Sequence, residues 1–163
     1  MILQGKMDNS TIAKKDRERE ITFVPGCVFL ARGAVFEKIG MLDEKFFLYF
    51  EDLEFSRRAR QHFQLFYAPE GTIYHKSGAG TGWVSYTVTY LYYHTRNRLW
   101  VFREDSAIYR IYVFFFTFLN ALAKTLALLL ASRLERQTQR KISALWRGVK
   151  DGIVARPKNR TER

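Results

Sequence analysis

Cysteine is nearly absent from this chain, which has one among its 163 residues. A single thiol excludes an internal disulfide and a zinc site built from a cysteine cluster. The neighbours of Cys27 in the stretch 26–30 are apolar, so we expect this thiol to be buried and unreactive. The first residues also lack the apolar core of a signal peptide.

Acidic residues are scarce: 16 aspartates and glutamates stand against 27 lysines and arginines, which gives a net charge of +11. We therefore expect acidic partners, and the candidates are nucleotide-sugar diphosphates, anionic lipid head groups and nucleic acid. The basic residues concentrate beside an apolar segment and not in a recognisable nucleic-acid-binding motif, so nucleic acid is the weakest candidate. The length allows one domain with a modest core. Aromatic residues make up 16% of the chain, which argues against a disordered middle.

The most informative local feature is an acidic pair, Glu51 and Asp52, which directly follows five apolar residues at 46–50. The pattern predicts a helix over 51–62. Burial penalises a charged carboxylate, and a fold that keeps carboxylates at an apolar boundary often uses one as a base. The alternative is a helix start, where both carboxylates stabilise free backbone N–H groups and the positive end of the helix dipole.

Several motifs surround the acidic pair in a definite order: residues 24–32, 35–47, 67–75 and 96–98. In that order they resemble the C-terminal, acceptor-side half of family-2 glycosyltransferases of the rhamnosyltransferase or galactofuranosyltransferase kind. The resemblance covers about residues 22–103. Each motif is short and unspecific by itself, and the ordered set carries the likeness.

The resemblance implies an α/β fold of the glycosyltransferase A-type, also called the nucleotide-diphospho-sugar transferase fold. In that family the first half carries parallel strands and an Asp-x-Asp-type motif, which holds Mn²⁺ or Mg²⁺ on the donor diphosphate. This chain has no Asp-x-Asp triplet and no glycine-rich phosphate loop. We therefore expect a truncated or split product with a partial fold of this type, followed by C-terminal membrane-associated helices. Most metal ligands are expected in a missing N-terminal half.

The resemblance also assigns roles to individual residues. Asp52 is expected to be the general base, which takes the proton of the acceptor hydroxyl as its oxygen attacks the anomeric carbon. Glu51 is expected to support acceptor or donor binding. His75 is placed as a metal ligand better suited to Mn²⁺ than to Mg²⁺. The alternative for His75 is a strand-end histidine bonded to the backbone.

Four further residues are candidate substrate contacts, each with a plainer alternative. Gly26 would let a sugar approach the backbone closely, or would form part of a tight turn. Arg96 and Arg98 would meet phosphate through the guanidinium fork, or would pair with acidic neighbours on a helix surface. Trp83 would stack on a sugar, or would pack on the glycine-rich stretch 77–82, which is itself either a closing loop or a linker.

The pattern divides the chain into four segments: a polar 1–20, the acceptor-side half of a glycosyltransferase domain at 21–103, an apolar helix at 104–131 and a basic amphipathic tail at 132–163. Within the second segment we predict strands over 21–31, 64–68 and 72–75, and helices over 33–39, 51–62 and 87–102.

The apolar segment and the basic tail point to a membrane. Residues 111–131 carry one charge, Lys124, and are long enough to cross a bilayer. The stretch 132–163 has ten basic and three acidic residues, which suits an anionic cytoplasmic leaflet. Apolar residues recur in it at helical spacing, so it predicts a basic amphipathic helix that lies on the membrane. The alternative is a long soluble helix packed in a dimer or against the missing half.

Together these interpretations predict inverting glycosyl transfer from a nucleotide-sugar donor to a glycan or lipid-linked acceptor. The setting would be bacterial envelope polysaccharide synthesis at the cytoplasmic face of the cell membrane. Further partners would be the membrane surface and either a separate N-terminal half or a second copy of the chain. The alternative is a non-catalytic fragment that binds membranes or pairs with a separate donor-binding chain.

Overall fold

A computed structural model describes residues 17–69, 86–131 and 135–154 of the chain. Within these residues the elements are β1 (Arg19–Ile21), α1 (Gly33–Ile39), α2 (Glu51–Ala59), β2 (Leu65–Tyr67), α3 (Val88–Val101), α4 (Ala107–Ala131) and α5 (Arg136–Val154). The described part is therefore mostly helical. The chain divides into two units: the first takes Met1–Asp43 and Glu51–Gly80, and the second takes Glu44–Phe50 and Thr81–Arg163.

The sheet of the first unit consists of β1 and β2, which pair antiparallel with Arg19 opposite Tyr67. The Arg19 guanidinium lies 5.4 Å from the centroid of the Tyr67 ring, a cation–π contact. Strand β2 confirms the prediction for 64–68, while the strand predicted over 72–75 lies outside the described residues. The two described strands are antiparallel and not parallel. The described elements thus show a mostly helical arrangement, and the glycosyltransferase A-type fold stays a prediction.

The strand predicted over 21–31 forms only at its first residue, and the rest of that prediction is wrong. Two backbone donors of this segment go to side chains of α2. The Val24 N–H donates to Ser56 Oγ at 3.1 Å, and the Gly26 N–H donates to Asp52 Oδ2 at 2.9 Å. A proline between these two residues has no N–H. Because two of these amides are occupied and the third is absent, residues 24–26 have no N–H to donate to a neighbouring strand.

Helix α1 confirms the prediction for 33–39 and ends as expected before Gly40. The φ of Gly40 is 75°, a left-handed conformation, and its N–H donates to the Phe36 carbonyl at 2.8 Å. Helix α2 begins where predicted and ends earlier. Phe55 on α2 is buried, with ring centroids 5.3 Å from Phe29 and 5.8 Å from Phe36. These ring contacts hold α2 against α1 and the segment before it.

Cys27 is exposed, so the prediction of a buried thiol is wrong. The apolar neighbours Val28 and Phe29 are half-buried, and Phe29 packs on Phe55. Cys27 follows Gly26 in a turn, where consecutive side chains point in different directions. Apolar neighbours in sequence therefore did not carry the thiol into the core.

Helices α3, α4 and α5 belong to the second unit and share a core, made by Leu91, Ala121, Leu145 and Val149. Helices α3 and α5 approach closely at Gly148, where a Cβ atom would lie 2.6 Å from the Tyr92 carbonyl oxygen. One turn later Asp151 of α5 accepts the Tyr92 hydroxyl at 2.8 Å. These two helices confirm the predictions of a helix over 87–102 and of a helical basic tail.

Helix α4 is long, apolar and mostly exposed. Its 25 residues bury only Val113, Thr117 and Ala121, a stripe at four-residue spacing. Among the described residues it is the one helix long and apolar enough to cross a membrane. Its most apolar stretch of 18 residues has a mean hydropathy of 1.9, and 17% of that stretch is buried. The apolar helix predicted at 104–131 is thus confirmed with a start three residues later, at Ala107, and its contact with a membrane stays a prediction.

Candidate functional site

The carboxylate of Asp52 lies in the first turn of α2 and is half-buried. Its Oδ2 accepts the Gly26 N–H at 2.9 Å, and its Oδ1 accepts the Leu53 N–H at 2.8 Å. Backbone donors and the helix dipole stabilise negative charge at such a position. Because a carboxylate has about four lone-pair sites, the two that these amides leave open can accept a hydroxyl.

The structure brings together two of the predicted site residues, Gly26 and Asp52. A Cβ atom on Gly26 would lie 3.3 Å from the Asp52 Cβ, closer than ordinary van der Waals contact. Residue 26 also lies in a turn, which confirms the plainer interpretation of this glycine. Its contact with a sugar stays a prediction. The absence of a side chain at Gly26 thus allows its backbone N–H to reach the carboxylate.

Glu51 opens α2, and its Oε2 atom is buried without a hydrogen-bond donor among the described residues. A buried carboxylate oxygen in this state has lost its hydration without replacement, which native structures rarely retain. A ligand hydroxyl would supply the missing donor. The expectation that Glu51 supports substrate binding stays a prediction, and the orphaned oxygen agrees with it.

Arg58 fixes α2 against the end of α1, a role that the sequence predictions missed. Its Nη2 donates to Glu54 Oε2 at 2.8 Å and to the Met41 carbonyl at 2.9 Å, and its Nη1 donates to the Ile39 carbonyl. The four-residue spacing of Glu54 and Arg58 is a signal that could have identified the pair. Because Asp52 is on the same helix, this anchoring also positions the candidate base.

A loop of the second unit, residues 44–50, has an unusual backbone. Three of its aromatic residues have left-handed φ values of 60°, 67° and 69°: Phe47, Tyr49 and Phe50. Each such conformation in a non-glycine residue costs about 1–2 kcal/mol. The 44–50 loop therefore needs specific interactions to keep this form.

Asn97 on α3 supplies those interactions. Its side chain is fully buried. Its Nδ2 lies 2.8 Å from each of three loop carbonyl oxygens, those of Phe46, Leu48 and Tyr49, so its two hydrogens are shared among the three acceptors. The sequence predictions used both arginines of the Arg-Asn-Arg motif and missed the asparagine between them. An asparagine between two arginines in the middle of a predicted helix was the available sequence signal.

Arg96 supports the same loop and is only 8% exposed. Its Nη2 donates to the carbonyl oxygens of Lys45 at 2.8 Å and Phe46 at 3.2 Å, while its Nε donates to Asn97 Oδ1 at 2.8 Å. Its guanidinium carbon also lies 4.0 Å from the Trp100 ring centroid. These partners are carbonyls, an amide and an aromatic ring, so Arg96 supports the loop. Its contact with phosphate stays a prediction.

Arg98 lies in a different environment on α3. Its Nη2 is 3.3 Å from His94 Nδ1, and its guanidinium carbon is 5.2 Å from the ring centroid of Phe116 on α4. Burial, together with the charges of Arg98 and Lys124, lowers the pKa of His94 to about 4. Since arginine only donates, His94 Nδ1 must accept, and His94 is neutral near pH 7. The phosphate contact of Arg98 stays a prediction.

The predicted metal ligand His75 and the predicted sugar contact Trp83 lie outside the described residues, as does the glycine-rich stretch 77–82. In the part of the chain that the structure describes, no group of three or more His, Cys, Asp or Glu side chains is placed to hold a metal ion. The Mn²⁺ or Mg²⁺ site therefore stays a prediction that concerns residues elsewhere.

Each unit also has an apolar pocket. The pocket of the first unit has a volume of about 430 Å³ and Phe55 forms part of its wall. The pocket of the second unit has a volume of about 370 Å³, and Arg103 and Arg110 lie at it beside apolar residues of α4. Asp52 is not among the residues that line the first pocket, so the candidate base lies outside it.

The predicted site residues thus fall into two groups, with Gly26, Glu51 and Asp52 in the first unit and Arg96 and Arg98 in the second. Comparisons with families of proteins, with curated proteins and with solved structures find no match to this chain. The functional argument therefore depends on the residues themselves.

Proposed function

We propose that this chain is the acceptor-side, membrane-associated part of an inverting glycosyltransferase. It would transfer a sugar from a nucleotide-sugar donor to a glycan or lipid-linked acceptor at the cytoplasmic face of a bacterial membrane. The observation that carries the proposal is the Asp52 carboxylate, held in the first turn of α2 by the Gly26 N–H. The ordered motifs that resemble family-2 glycosyltransferases have their general base at this position.

The proposed reaction is a displacement at the anomeric carbon. The acceptor oxygen forms a bond to this carbon while the bond from the carbon to the donor diphosphate breaks, and the nucleoside diphosphate leaves as an anion. The acceptor proton passes to Asp52, and attack opposite the leaving group inverts the configuration. A divalent ion such as Mn²⁺ or Mg²⁺, when held by a donor-binding half, supplies charge neutralisation for the leaving diphosphate.

Two features of α2 support this role for Asp52. The amides of Gly26 and Leu53 fix the orientation of the carboxylate and leave lone pairs for the acceptor hydroxyl. The neighbouring Glu51 Oε2, which has no donor among the described residues, offers a second acceptor for a sugar hydroxyl. Arg58 holds the helix that carries both carboxylates.

The substitution Asp52→Asn tests the base directly, because the amide oxygen still accepts the Gly26 N–H but the group does not take up a proton near pH 7. We expect glycosyl transfer to fall by at least about 100-fold. Tm should fall modestly, because the Asn nitrogen cannot accept the Leu53 N–H as the second carboxylate oxygen does. The assay follows radiolabelled sugar transfer from UDP-, GDP- and dTDP-sugars in membranes of cells that produce the full chain. Glu37→Gln, an equal charge change on the exposed face of α1, is the control and should leave transfer unchanged. Near-normal transfer in Asp52→Asn would refute the assignment.

Membrane contact is the second part of the proposal, and the exposed face of α4 carries it. Large apolar side chains lie exposed along the helix: Ile108, Ile111, Phe115, Leu119, Leu122, Leu126 and Leu130. Soluble monomers rarely expose so extended an apolar surface. The neighbouring α5 exposes basic side chains: Arg136, Arg140, Arg147 and Lys150. Apolar and basic surfaces side by side match an anionic bilayer.

The packing of α4 favours a helix that lies in the membrane surface over one that crosses the bilayer. Its neighbours contact it along its length, from Phe102 on Tyr109, with centroids 5.3 Å apart, to Trp146 on Thr125, at 3.1 Å. A crossing helix of about 37 Å would therefore take α3 and α5 into the hydrocarbon. Each exposed cation of α5 would then cost about 2.5–3.5 kcal/mol or more. An in-plane helix avoids that cost while still burying its apolar face.

The pair Leu119→Asn and Leu126→Asn tests this contact. Full burial of a leucine contributes about 1.5–3 kcal/mol, so the double substitution should weaken binding to anionic vesicles by at least about tenfold. Co-sedimentation with vesicles measures the binding. Leu30→Asn, which changes a fully exposed leucine of the first unit, is the control and should bind as the unchanged chain does. Equal binding by all three proteins would contradict the proposed face.

A second candidate function is a non-catalytic, membrane-binding fragment that pairs with a separate donor-binding chain. The α4 face supports it as well as it supports the first, since membrane contact does not require Asp52. The two candidates differ in one result: under the second, Asp52→Asn changes neither vesicle binding nor sugar transfer.

A further inference from the structure

Two cations of the second unit each lie beside one ring of a stacked pair. The rings of Tyr90 and His94 on α3 stack with centroids 4.7 Å apart. The Lys124 Nζ of α4 lies 5.6 Å from the Tyr90 centroid and 5.2 Å from that of Tyr86. Arg98 Nη2 lies 3.3 Å from His94 Nδ1. These five residues are called the Arg98–Lys124 cluster below.

In the described part of the chain, no carboxylate pairs with the cations of the Arg98–Lys124 cluster. Among residues 17–69, 86–131 and 135–154, neither Arg98 nor Lys124 forms a salt bridge with a carboxylate. Both side chains are half-buried, and they are close enough that both depress the pKa of His94. Half-buried charges are normally paired, because burial removes hydration. Contacts with aromatic rings replace only part of that loss.

The groups around the cluster fit a phosphate. Arginine presents a planar fork of donors and lysine a compact ammonium, and both bind phosphate oxygens. Tyr86 and Tyr90 add hydroxyl groups, and burial raises the pKa of Tyr90, so its hydroxyl keeps the proton. Neutral His94 already accepts from Arg98 and adds no charge of its own.

We propose that Arg98 and Lys124, with the hydroxyls of Tyr86 and Tyr90, form a binding site for the phosphate of a membrane lipid. The apolar surroundings favour a lipid over a soluble phosphate. Arg98 lies over the ring of Phe116, which is 47% exposed on α4, and Lys124 is on the same helix. A lipid phosphate would meet both cations while its chains adjoin the exposed apolar face. The identification of this lipid with a lipid-linked acceptor rests on the proposed function, whereas the phosphate site itself does not.

The test compares vesicles that differ in the chemistry of their charge. The full chain is titrated with phosphatidylcholine vesicles that contain phosphatidic acid, or the same amount of negative charge as oleic acid. We expect about tenfold tighter binding to phosphatidic acid, and loss of this preference in Arg98→Gln/Lys124→Gln. The control Arg140→Gln/Lys150→Gln removes two exposed cations of α5 and should weaken both bindings by a similar factor. If the cluster variant behaves like this control, binding is general electrostatics and the proposal is overturned.

A single substitution separates a binding role from a structural one. Lys124→Met removes one of two half-buried like charges, so it should raise the Tm of the ligand-free chain while it abolishes the phosphatidic acid preference. A lower Tm with the preference intact would show that Lys124 is a structural cation and would overturn the site.

Inorganic diphosphate distinguishes the two sources of phosphate. Its binding near His94 would raise the pKa of this residue from about 4, because an anion favours the imidazolium, and an NMR titration would detect the change. We expect weak binding that competes with phosphatidic acid vesicles only at high concentration. Diphosphate binding tighter than vesicle binding would overturn the lipid assignment. Asp52→Asn should keep the phosphate preference, so failure of the glycosyltransferase proposal is distinguishable from failure of this site.

Discussion

Removal of the Asn97 side chain should reveal how strongly the 44–50 loop depends on it. In Asn97→Ala, the Leu48 and Tyr49 carbonyl oxygens lose their donor, and Arg96 Nε loses its acceptor. The Phe46 carbonyl keeps a donor, since Arg96 Nη2 also reaches it at 3.2 Å. The loss is therefore confined to three groups, of which one is charged.

The expected magnitude follows from these three groups. A buried polar group left without a partner costs about 1–3 kcal/mol, and more when it is charged. The two carbonyls are only part-buried, which places each near the lower end of that range. With the buried guanidinium included, we expect Asn97→Ala to lower the free energy of unfolding by about 3–5 kcal/mol. That is a large share of the free energy of unfolding of a typical folded domain, which is about 5–15 kcal/mol.

Urea unfolding, followed by tryptophan fluorescence, measures this loss, because Trp100 packs edge-on against Phe46 of the loop with centroids 6.3 Å apart. Asn120→Ala, at a half-buried position of α4, is the control and should change the free energy by less than about 1 kcal/mol. Asn97→Asp keeps the shape but loses the donors, so it should destabilise at least as much as alanine. A loss in Asn97→Ala no larger than the control's would refute the reasoning.

Two further predictions concern the second unit. His94 has a pKa of about 4 in the folded chain against about 6.5 unfolded, so the unfolded state binds the proton more readily; stability should be complete above about pH 6.5 and should fall between pH 6.5 and 4. Urea unfolding at pH 7 and pH 5 measures this change in the free energy of unfolding. His94→Phe should make the free energy less dependent on pH. An unchanged chain with as little pH dependence as the variant would contradict the prediction. Gly148→Ala should cost at least about 2 kcal/mol, because its Cβ would lie 2.6 Å from the Tyr92 carbonyl oxygen and backbone must move. Thermal unfolding measures the Tm of this variant and of the control Gly33→Ala, whose Cβ meets open space and which should be neutral or slightly stabilising. Similar Tm changes in the two variants would show that α3 and α5 can move apart at little cost in free energy.

The elements that the sequence predicted well are those set by local signals. Helix α1 has the predicted bounds because Gly40 adopts the left-handed conformation that ends it. Helix α4 follows from an uninterrupted apolar run. The strand predicted over 21–31 is interrupted where the Val24 and Gly26 amides donate to Ser56 and Asp52, which lie on α2. A propensity argument sees the residues of a segment, and it does not see which distant side chains take its backbone donors.

The candidate site was predictable to a similar degree. Asp52 stood out because two carboxylates follow an apolar run, and the structure gives it the helix N-terminus that either interpretation requires. Arg96 was expected to face a ligand, yet its partners are carbonyls about fifty residues earlier in the chain. Lys124 was noted only as an interruption of an apolar run. Its closeness to Arg98 depends on how α3 and α4 pack, which the sequence pattern does not contain.

The strain in the 44–50 loop has a structural reason that the apolar pattern concealed. Glycine at its three left-handed positions would relieve about 1–2 kcal/mol each, but it would also remove the rings. The Tyr49 ring meets Tyr90 edge-on at 5.3 Å, and the Phe50 ring lies 5.1 Å from His94. These left-handed residues thus place aromatic side chains against the stacked pair beside the proposed phosphate site. The hydrogen bonds of Asn97 stabilise the backbone form that makes this placement.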